Sequence, residues 1–282
     1  MSLDDIAEKK LTILGIIGSQ RKLGNCELFV KEISRNIPTD HELNLIRLPS
    51  LNILPCNGCY RCIEKGTCWQ EDDIPFLIDH ISSCDALIVA SPVYFLGTHA
   101  SVKTLLDRAF SFFDAVEKMA GRPCILVNTF GIKDRMGTAP QALLTLASFL
   151  GFEVKASVNL QAALPGEILM NKKNADVAAR LAKSLFGRKD KKPNYACPFC
   201  GNDIVRMKKA GFICTLCHGS FHFDDRGKPV RDQQGWDVGN IEFVREHRQW
   251  LRGMKNKFLE SRKELMRLSL PYKDLGKWIE PD

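Results

Sequence analysis

Eight of the 11 cysteines in this chain fall into two groups of four, which is the strongest chemical signal in the sequence. The first group lies in residues 56–68, CNGCYRCIEKGTC, with the spacing C-x2-C-x2-C-x5-C. The second combines CPFC at 197–200 with CTLC at 214–217. We expect this chain to reside in the reducing cytosol. There, cysteines grouped at such short spacing indicate metal ligands rather than disulfides.

The spacing of the first group favours iron over zinc. Structural zinc normally takes two separated CxxC pairs, whereas three cysteines at successive x2 spacing can wrap the chain around adjacent corners of a cubic cluster. Gly66 permits a tight turn that returns the chain to the fourth cysteine. The alternative that these are free structural thiols or a redox-active pair stays open. The candidate ligands are Cys56, Cys59, Cys62 and Cys68.

The second group has the spacing of a zinc ribbon, C-x2-C-x13-C-x2-C. Two CxxC knuckles separated by a short hairpin make a closed tetrahedral site, and residues 203–213 can supply the two strands of that hairpin. A rubredoxin-like module would hold one iron ion with the same spacing, and sulfur ligands alone do not separate the two metals. The candidate ligands are Cys197, Cys200, Cys214 and Cys217.

The elements that must position these groups follow a regular alternation over the first two thirds of the chain. Short apolar segments predict strands at 11–17, 43–48, 86–90, 124–127 and 152–158. Helical spacing of apolar residues predicts helices after 24–25, from about 72, and at 102–116, 140–150 and 175–185. Strands alternating with amphipathic helices predict an α/β fold with a doubly wound parallel sheet, whose ligands lie outside the carboxyl ends of the strands.

The remaining sequence predicts a smaller second module. The polar stretch GRKDKKPN at 187–194 ends the sheet domain, and the second cysteine group follows it. A long helix is predicted at 241–268, with a seven-residue stripe formed by Val244, Leu251, Phe258 and Leu265. That stripe suits either a partner subunit or the chain's own sheet domain. The predicted divisions are a sheet domain with the first cysteine loop at 1–187, a linker at 188–194, a metal ribbon at 195–235, and a helix and tail at 236–282.

The loop after the first strand, GSQRKLGNCE at 18–27, offers groups for one phosphate. It lacks both the GxGxxG spacing of dinucleotide folds and the Gly-Lys-Ser/Thr of a Walker loop. Polar side chains and backbone amides at a helix N-terminus suit the terminal phosphate of a mononucleotide such as FMN better than NAD. An ordinary capped strand-to-helix turn is the alternative. The candidate residues are Ser19, Arg21, Lys22, Gly24, Asn25 and Cys26.

Two further loops reach the same edge of the predicted sheet. ASPVYF begins at residue 90 after the third strand, and NTFGIKD occupies 128–134 after the fourth. Tyr94 and Phe95 could lie beside a flat ring, although aromatic residues at such positions often belong to the core. The candidate residues of these loops are Ser91, Pro92, Val93, Tyr94, Phe95, Gly97, Thr129 and Gly131.

Taken in order, SQRKLGN, PCNGCYRCIEKGTCWQEDD, ASPVYF and KTLLDR resemble the flavodoxin-like NAD(P)H-dependent FMN reductase superfamily, and within it the iron-sulfur flavoprotein family. The resemblance covers about residues 10–160. It implies a flavodoxin-like fold and a homodimer or homotetramer. It also implies bound FMN, with its ring near 91–95 and its phosphate on Ser19, Arg21, Lys22 and Asn25. The first four cysteines would then hold a 4Fe-4S cluster. Cys26 departs from the family, which often has a hydroxyl residue there, but its backbone amide can still donate.

Charge and hydropathy narrow the class of protein. The net charge is +7, and residues 1–187 hold 20 Lys and Arg against 20 Asp and Glu, so residues 188–282 carry the whole excess, 20 against 13. A basic region can meet nucleic acid, an anionic membrane surface or an acidic redox partner, or simply be a solvated face. The 11–17 segment is too short to span a bilayer, and acidic residues precede it where a signal peptide would be basic, so we expect a cytosolic protein without a membrane partner.

Three hypotheses of function follow. The first is an oxidoreductase that carries electrons between a 4Fe-4S cluster, FMN and a donor or acceptor such as ferredoxin or NAD(P)H, without a catalytic side chain. The second is an NAD(P)H-dependent FMN or quinone reductase whose first cysteine group holds no cluster. The third, a redox-linked nucleic-acid-binding protein, is disfavoured because the ribbon lacks aromatics interleaved with Lys and Arg.

Overall fold

A six-stranded sheet forms the larger part of the chain, in a computed structural model that describes residues 10–190, 195–273, 275 and 279. Five strands are parallel in the order β2-β1-β3-β5-β6, and the short β4 pairs antiparallel with the end of β3. This order is that of flavodoxin-like doubly wound sheets, so the predicted fold class is confirmed. The strands are β1 (Leu11–Ile17), β2 (His41–Arg47), β3 (Ala86–Tyr94), β4 (Gly97–Thr98), β5 (Pro123–Phe130) and β6 (Glu153–Gln161).

Helices cover both faces of the sheet because successive side chains of each strand point to opposite sides. Ile13 and Ile17 of β1 join the core beneath two helices, while Leu14 and Ile16 join the core on the other face. The first pair of helices comprises α1 (Asn25–Arg35) and α7 (Lys172–Leu185). The opposite face carries α3 (Ile74–Ser83), α4 (Ala100–Asp107), α5 (Val116–Met119) and α6 (Ala139–Phe149), and the short α2 (Arg61–Lys65) lies in the cysteine loop.

The prediction of one continuous helix at 102–116 is wrong. The structure ends α4 at Asp107, forms a 3₁₀ turn at Ala109–Phe112 and begins α5 at Val116. The break falls at Arg108, which is buried and directs its guanidinium to the carboxylate of Asp72 rather than to solvent. Apolar spacing continued across the break because both pieces pack on the same core.

The third strand also extends beyond its predicted end at residue 90. It runs on to Tyr94 and turns back through a tight hairpin into β4. Phe95 and Leu96 form the tip with positive φ angles of 47° and 63°, as a two-residue hairpin turn requires. Ser91 ends the apolar run and Pro92 lacks an amide hydrogen, so the sequence did not indicate this extension.

The second cysteine group lies in a four-stranded antiparallel sheet with the order β10-β9-β8-β7. Its small core consists of three of the four cysteines with Leu216 and Phe221. The predicted linker at 188–194 lies partly outside the described residues, as do the start of the predicted first domain and the end of the predicted tail. The strands are β7 (Val205–Lys208), β8 (Gly211–Cys214), β9 (Ser220–Phe223) and β10 (Pro229–Gln233).

A long helix, α8 (Ile241–Ser269), returns from this ribbon to the sheet domain. Val244 and Leu251 are buried in the core beneath α3 to α6, whereas Phe258 and Leu265, further along the predicted stripe, are exposed. The hypothesis of packing on the chain's own domain therefore holds for the first half of the helix. Within the part of the chain that the structure describes, no helix combines the length and apolar character needed to cross a membrane.

Candidate functional site

The three loops predicted to bind a ligand meet at one edge of the sheet. Strand β3 lies between β1 and β5, with Ile17 opposite Ala90 and Pro92 opposite Thr129. Because all three strands are parallel, their carboxyl ends and the loops that follow them share one edge. The candidate flavin-binding residues all belong to these three segments, and their contact with a flavin stays a prediction.

The phosphate loop closes tightly against the end of β3. The Gly18 amide donates to the Ala90 carbonyl at 2.7 Å, and a Cβ at Gly18 would lie only 3.1 Å from the Ser91 hydroxyl oxygen. The Oγ of the buried Ser19 accepts a hydrogen bond from the Arg21 amide at 3.2 Å. At the start of α1, Gly24 provides no side-chain cap, so the first amides of the helix are available to donate hydrogen bonds to an anion. These features fit a phosphate group.

The shape of this loop depends on two residues that the sequence analysis missed. Arg47, at the end of β2, donates to the Ser19 and Arg21 carbonyls at 2.7 and 3.0 Å and pairs with Glu27 at 2.6 Å. Glu27 also accepts from the Leu23 amide at 2.9 Å. The one available signal was the position of Glu27, three residues after the N-cap of α1, where capping-box carboxylates occur.

Replacing Glu27 by Gln is expected to destabilise the fold in a pH-dependent way. Burial acts to raise the pKa of Glu27, but hydrogen bonds from Lys31, Arg47 and the Leu23 amide lower it from 4.5 to about 2. Because the folded pKa is depressed, this stabilisation is present above about pH 4.5 and is lost as the pH falls towards 2. Urea unfolding should show a loss on the order of 2 kcal/mol at pH 7, shrinking by pH 3.

The control for that experiment is Glu32→Gln on the same helix. Glu32 forms a surface pair with Arg35 at 3.3 Å, so its replacement should change the free energy of unfolding by less than about 0.5 kcal/mol. A Glu27→Gln loss that persists unchanged at pH 3 would show that the carboxylate charge is not what stabilises the loop.

Three other candidates use their side chains to hold the loop in place. Asn25 donates to the Ala162 carbonyl at 3.0 Å and accepts from the Ile168 amide at 3.3 Å. The Cys26 sulfur lies 3.3 Å from the Thr129 hydroxyl oxygen, and burial raises the pKa of Cys26 to about 11. These side chains are committed to the protein, so any contact of Asn25 and Cys26 with a phosphate would come from the backbone.

The loop after β3 presents aromatic surface beside a buried polar group. Ser91 is fully buried and accepts a hydrogen bond from the His99 amide at 3.3 Å. Tyr94 is half exposed and packs against the His99 ring with centroids 5.7 Å apart, while Phe95 at the hairpin tip is fully exposed. An accessible aromatic wall next to backbone polar groups suits a flat heterocycle.

The hairpin tip is fixed by a segment that sequence reasoning did not single out. The Thr138 amide donates to the Leu96 carbonyl at 2.7 Å, just before α6. A Cβ at Gly137 would lie 2.0 Å from that same carbonyl oxygen, so the contact requires a glycine there. Gly131 approaches the opposite side of the edge, where its added Cβ would lie 3.4 Å from Ala163.

The first cysteine segment leaves the same edge of the sheet, after β2. Gln20 of the phosphate loop donates to the Pro49 carbonyl at 2.7 Å and accepts from the Ser50 hydroxyl at 3.3 Å. At the far end, the Asp72 carboxylate accepts from the Leu54 amide at 3.0 Å, so both ends of the loop are held. The segment that leads into the cysteine loop is therefore hydrogen-bonded to the phosphate loop.

The four thiols of this loop lie within one short segment, in which Cys62 is on α2. Burial raises the pKa of Cys62, and the neighbouring Cys68, Cys56 and Cys59 raise it further. Cys56 and Cys59 are exposed, and the other two are partly buried. The backbone amide of Arg61 and the indole of Trp69, at 3.3 Å, lower the pKa of Cys59. Such donors suit an anionic cluster, but a cluster on this loop stays a prediction: among the described residues, only the second cysteine group has its sulfurs close enough together to hold a metal ion.

The second cysteine group forms a more compact centre. Its four sulfurs all lie within 4.8 Å of one another, with 3.6 Å between Cys197 and Cys217 and 3.5 Å between Cys200 and Cys214. Tetrahedral zinc with bonds of about 2.3 Å places its sulfurs about 3.8 Å apart, so the group fits a closed S4 site.

Backbone and side-chain donors surround this second centre. The Leu216 amide lies 3.4 Å from the Cys214 sulfur, and the Gly219 amide lies 3.4 Å from the Cys217 sulfur. Nearby histidines are engaged elsewhere, because His222 pairs with Asp232 at 2.7 Å. The described residues therefore build an all-cysteine site.

The sheet order, the phosphate loop and the aromatic hairpin define a flavodoxin-like protein with a mononucleotide site. A model of the NADPH-dependent FMN reductase family matches residues 11–163. An iron-sulfur flavoprotein of Archaeoglobus fulgidus is 30% identical over 164 residues, which cover 58% of this chain and 74% of that protein. The chain belongs to the NADPH-dependent FMN reductase family and, within it, to the iron-sulfur flavoproteins.

Two further similarities differ in how much of the chain they cover. Another iron-sulfur flavoprotein of Archaeoglobus fulgidus is 36% identical over 100 residues, which are 35% of this chain and only 46% of that protein. The chain thus spans less than half the length of that relative. A solved structure described as a flavone reductase is 16% identical, with a TM-score of 0.69, over 96% of this chain and 100% of that one. This likeness extends the shared fold over almost the whole chain, including the ribbon and α8.

Proposed function

We propose that this chain is an FMN-dependent oxidoreductase in which a 4Fe-4S cluster on the cysteine loop exchanges electrons with FMN at the sheet edge. The observation that carries the proposal is that three features start from one edge of the sheet: the phosphate loop, the aromatic hairpin after β3, and the segment leading into the cysteine loop, which Gln20 of the phosphate loop binds at Pro49. Nearness of this kind is what electron transfer between two centres requires.

The flavin site is proposed in two parts. The phosphate takes the amides at the start of α1 and the charges of the exposed Arg21 and Lys22. The ring lies near 91–95, with Gly97, Thr129 and Gly131 on its border. Arg47 and Glu27 hold the loop in shape without contacting the ligand.

The cysteine loop supplies four thiolates, from Cys56, Cys59, Cys62 and Cys68. FMN exchanges one or two electrons and a cluster exchanges one at a time, so the two together can couple a hydride donor to a one-electron carrier. Arg61 and Lys65 place positive charge beside an anionic cluster, and Trp69 donates to Cys59. We propose NAD(P)H or a ferredoxin as the redox partner, in the cytosol.

For the ribbon we propose a structural zinc ion. Its four cysteines leave no open coordination position in a tetrahedral site, and structural zinc folds such modules without reacting. Mononuclear iron in the same four sulfurs is the alternative, and metal analysis separates the two.

A second candidate function, an NAD(P)H-dependent FMN or quinone reductase without a cluster, has one observation in its favour. Cys56 and Cys59 are exposed, and the Trp69 indole already satisfies the Cys59 thiol, so the loop can be ordered around free thiols. This candidate uses the same flavin site and predicts a protein that lacks acid-labile sulfide.

The charges of α8 bear on nucleic-acid binding and on assembly. Arg245 pairs with Glu117 at 2.7 Å and Arg248 with Asp114 at 2.8 Å, so part of the carboxyl-terminal basic excess is neutralised within the chain. This does not favour a nucleic-acid partner.

Exposed apolar side chains such as Phe258 and Leu265 on the second half of α8 support our proposal of a homodimer or homotetramer.

The cluster is tested by anaerobic purification followed by an absorption spectrum and by iron, sulfide and zinc analysis. We expect about four iron and four sulfide per chain together with bound FMN and about one zinc. Cys62→Ser should lose the iron and sulfide, because it removes one of the four proposed ligands, and should keep the FMN and the zinc.

The matched control is Cys84→Ser. The Cys84 thiol donates to the Ile81 carbonyl at 3.3 Å in the core, and a hydroxyl can replace that bond, so every cofactor should remain. One metal ion per chain and no sulfide in the wild-type protein would exclude the cluster and select the second candidate.

A further inference from the structure

The cysteine loop is held from outside the sheet domain by the long helix α8. Two guanidinium groups of that helix donate to a single carbonyl, that of Ile63: Arg248 at 3.1 Å and Arg252 at 3.3 Å. Ile63 is buried and directly follows Cys62 on α2. Cationic donors at the carboxyl end of a short helix are favourable, and charge-assisted hydrogen bonds are the stronger kind.

The same arginine fixes the turn that leads to Cys68. Arg248 pairs with Asp114 at 2.8 Å, and its guanidinium lies 5.3 Å from the centroid of the Phe113 ring. Asp114 packs so closely on Gly66 that a Cβ added there would lie 1.5 Å from its carboxylate oxygen. Arg248 therefore acts on both ends of the α2 segment, through Ile63 and through Asp114.

The other end of α8 is attached to the ribbon's metal centre. The Trp236 amide donates to the Cys217 carbonyl at 2.7 Å. Its ring packs against His218, with centroids 4.7 Å apart, and against Phe243 in the first turn of α8, at 5.7 Å. Trp236 thus connects the backbone of the metal ligand Cys217 to Phe243 of α8, the helix whose arginines bind the cysteine loop.

Apolar contacts hold the first half of α8 on the sheet domain. Val244 and Leu251 are buried, and the rings of Phe243 and His247 lie 5.7 and 6.0 Å from that of Phe149 on α6. Phe243 is also the residue that Trp236 contacts, so a displaced Trp236 disturbs this packing. Beyond Leu251 no residue of α8 is buried, and a helix segment with so little burial is sensitive to changes at its anchored end. Without the metal, the two knuckles lose their common ligand, which loosens the Cys217 backbone.

We propose that α8 is a brace through which the metal-bound state of the ribbon sets the geometry of the cysteine loop. Arg248 and Arg252 are positioning residues that act on Cys62 through the Ile63 carbonyl. This inference rests on the proposed function only in requiring a metal in the ribbon. It needs neither the cluster nor the flavin.

The test measures the rate at which maleimide alkylates Cys62, followed by mass spectrometry. The sample is the full chain, which has been reduced, freed of iron and loaded with one equivalent of Zn²⁺. Arg248→Met/Arg252→Met should raise the Cys62 rate about tenfold or more, the size expected from losing a charge-assisted hydrogen bond. Arg262→Met, an exposed residue on the same helix, is the matched control and should leave the rate unchanged.

Removing Zn²⁺ from the wild-type chain should raise the rate of Cys62 alkylation by a similar factor. Removing it from the double variant should raise that rate little further, because metal removal and the two substitutions both release α8 from the cysteine loop. The buried Cys84 and Cys124 report global unfolding and should stay unreacted. An unchanged Cys62 rate in the double variant would refute the brace. So would an equal rise at Cys84 and Cys124, because the ribbon would then stabilise the whole fold rather than the loop.

A second measurement applies to the iron-loaded protein. Transfer of iron to a ferrous chelator should be faster in the double variant than in Arg262→Met, and equal rates would contradict the proposal. If the wild-type chain holds no iron, the proposed cluster fails, while the Cys62 alkylation still decides whether the brace exists.

Discussion

Replacing Arg108 by Met is expected to lower the free energy of unfolding by about 3–5 kcal/mol. The Arg108 and Asp72 side chains are almost completely buried, and Arg108 donates to both Asp72 oxygens, at 2.5 and 3.3 Å. The same guanidinium donates to the Leu54 carbonyl at 2.5 Å. Removing the arginine leaves a buried carboxylate without its cation and the Leu54 carbonyl without its donor. The loss is measured by urea unfolding at pH 7.

The control for this substitution is Arg35→Met, which removes an exposed guanidinium from a surface pair and should cost less than about 0.5 kcal/mol. The double variant Arg108→Met/Asp72→Asn should recover part of the loss, because the amide still accepts from Leu54 and carries no charge. If Arg108→Met unfolds at the same urea concentration as Arg35→Met, the buried pair contributes nothing to stability.

Much of the sheet domain could be predicted because its information is local. A buried parallel strand needs a short apolar run, and a covering helix needs apolar residues at every third or fourth position, so both appear in the sequence itself. Once the strands at 11–17, 86–90 and 124–127 are parallel, their following loops must share an edge. The convergence of Ser19, Tyr94 and Thr129 therefore followed from topology alone.

The residues that fix the site could not be predicted because they act across long stretches of sequence. Arg47 and Glu27 shape the phosphate loop from two different elements, and nothing local marks Arg47 as their link. Arg108 reads as an ordinary polar residue on a helix, and only its burial against Asp72 explains why the helix ends there. The contact of α8 with α2 joins residues almost two hundred positions apart.

Replacing Cys214 by Ser is expected to unfold the ribbon while leaving the sheet domain intact. Its sulfur is buried among the other three, and the ribbon's own core is small, with Leu216 and Phe221 as its buried apolar side chains besides the cysteines. Structural zinc contributes about 10–16 kcal/mol to folding such modules, far more than this core supplies. Zinc should fall from about one per chain to none. Amide hydrogen exchange at 195–235 should become fast, while β1 and β3 stay protected.

Cys59→Ser is the matched control, since it removes an exposed thiol from the other quartet and should keep both the zinc and the protection of the ribbon. Supplying excess Zn²⁺ should not restore Cys214→Ser, because three thiolates leave the site open to water. A ribbon that remains protected without metal would show that its hydrogen bonds, such as that from the Trp236 amide to the Cys217 carbonyl, suffice to fold it. The ribbon could then not report its metal-bound state to α8.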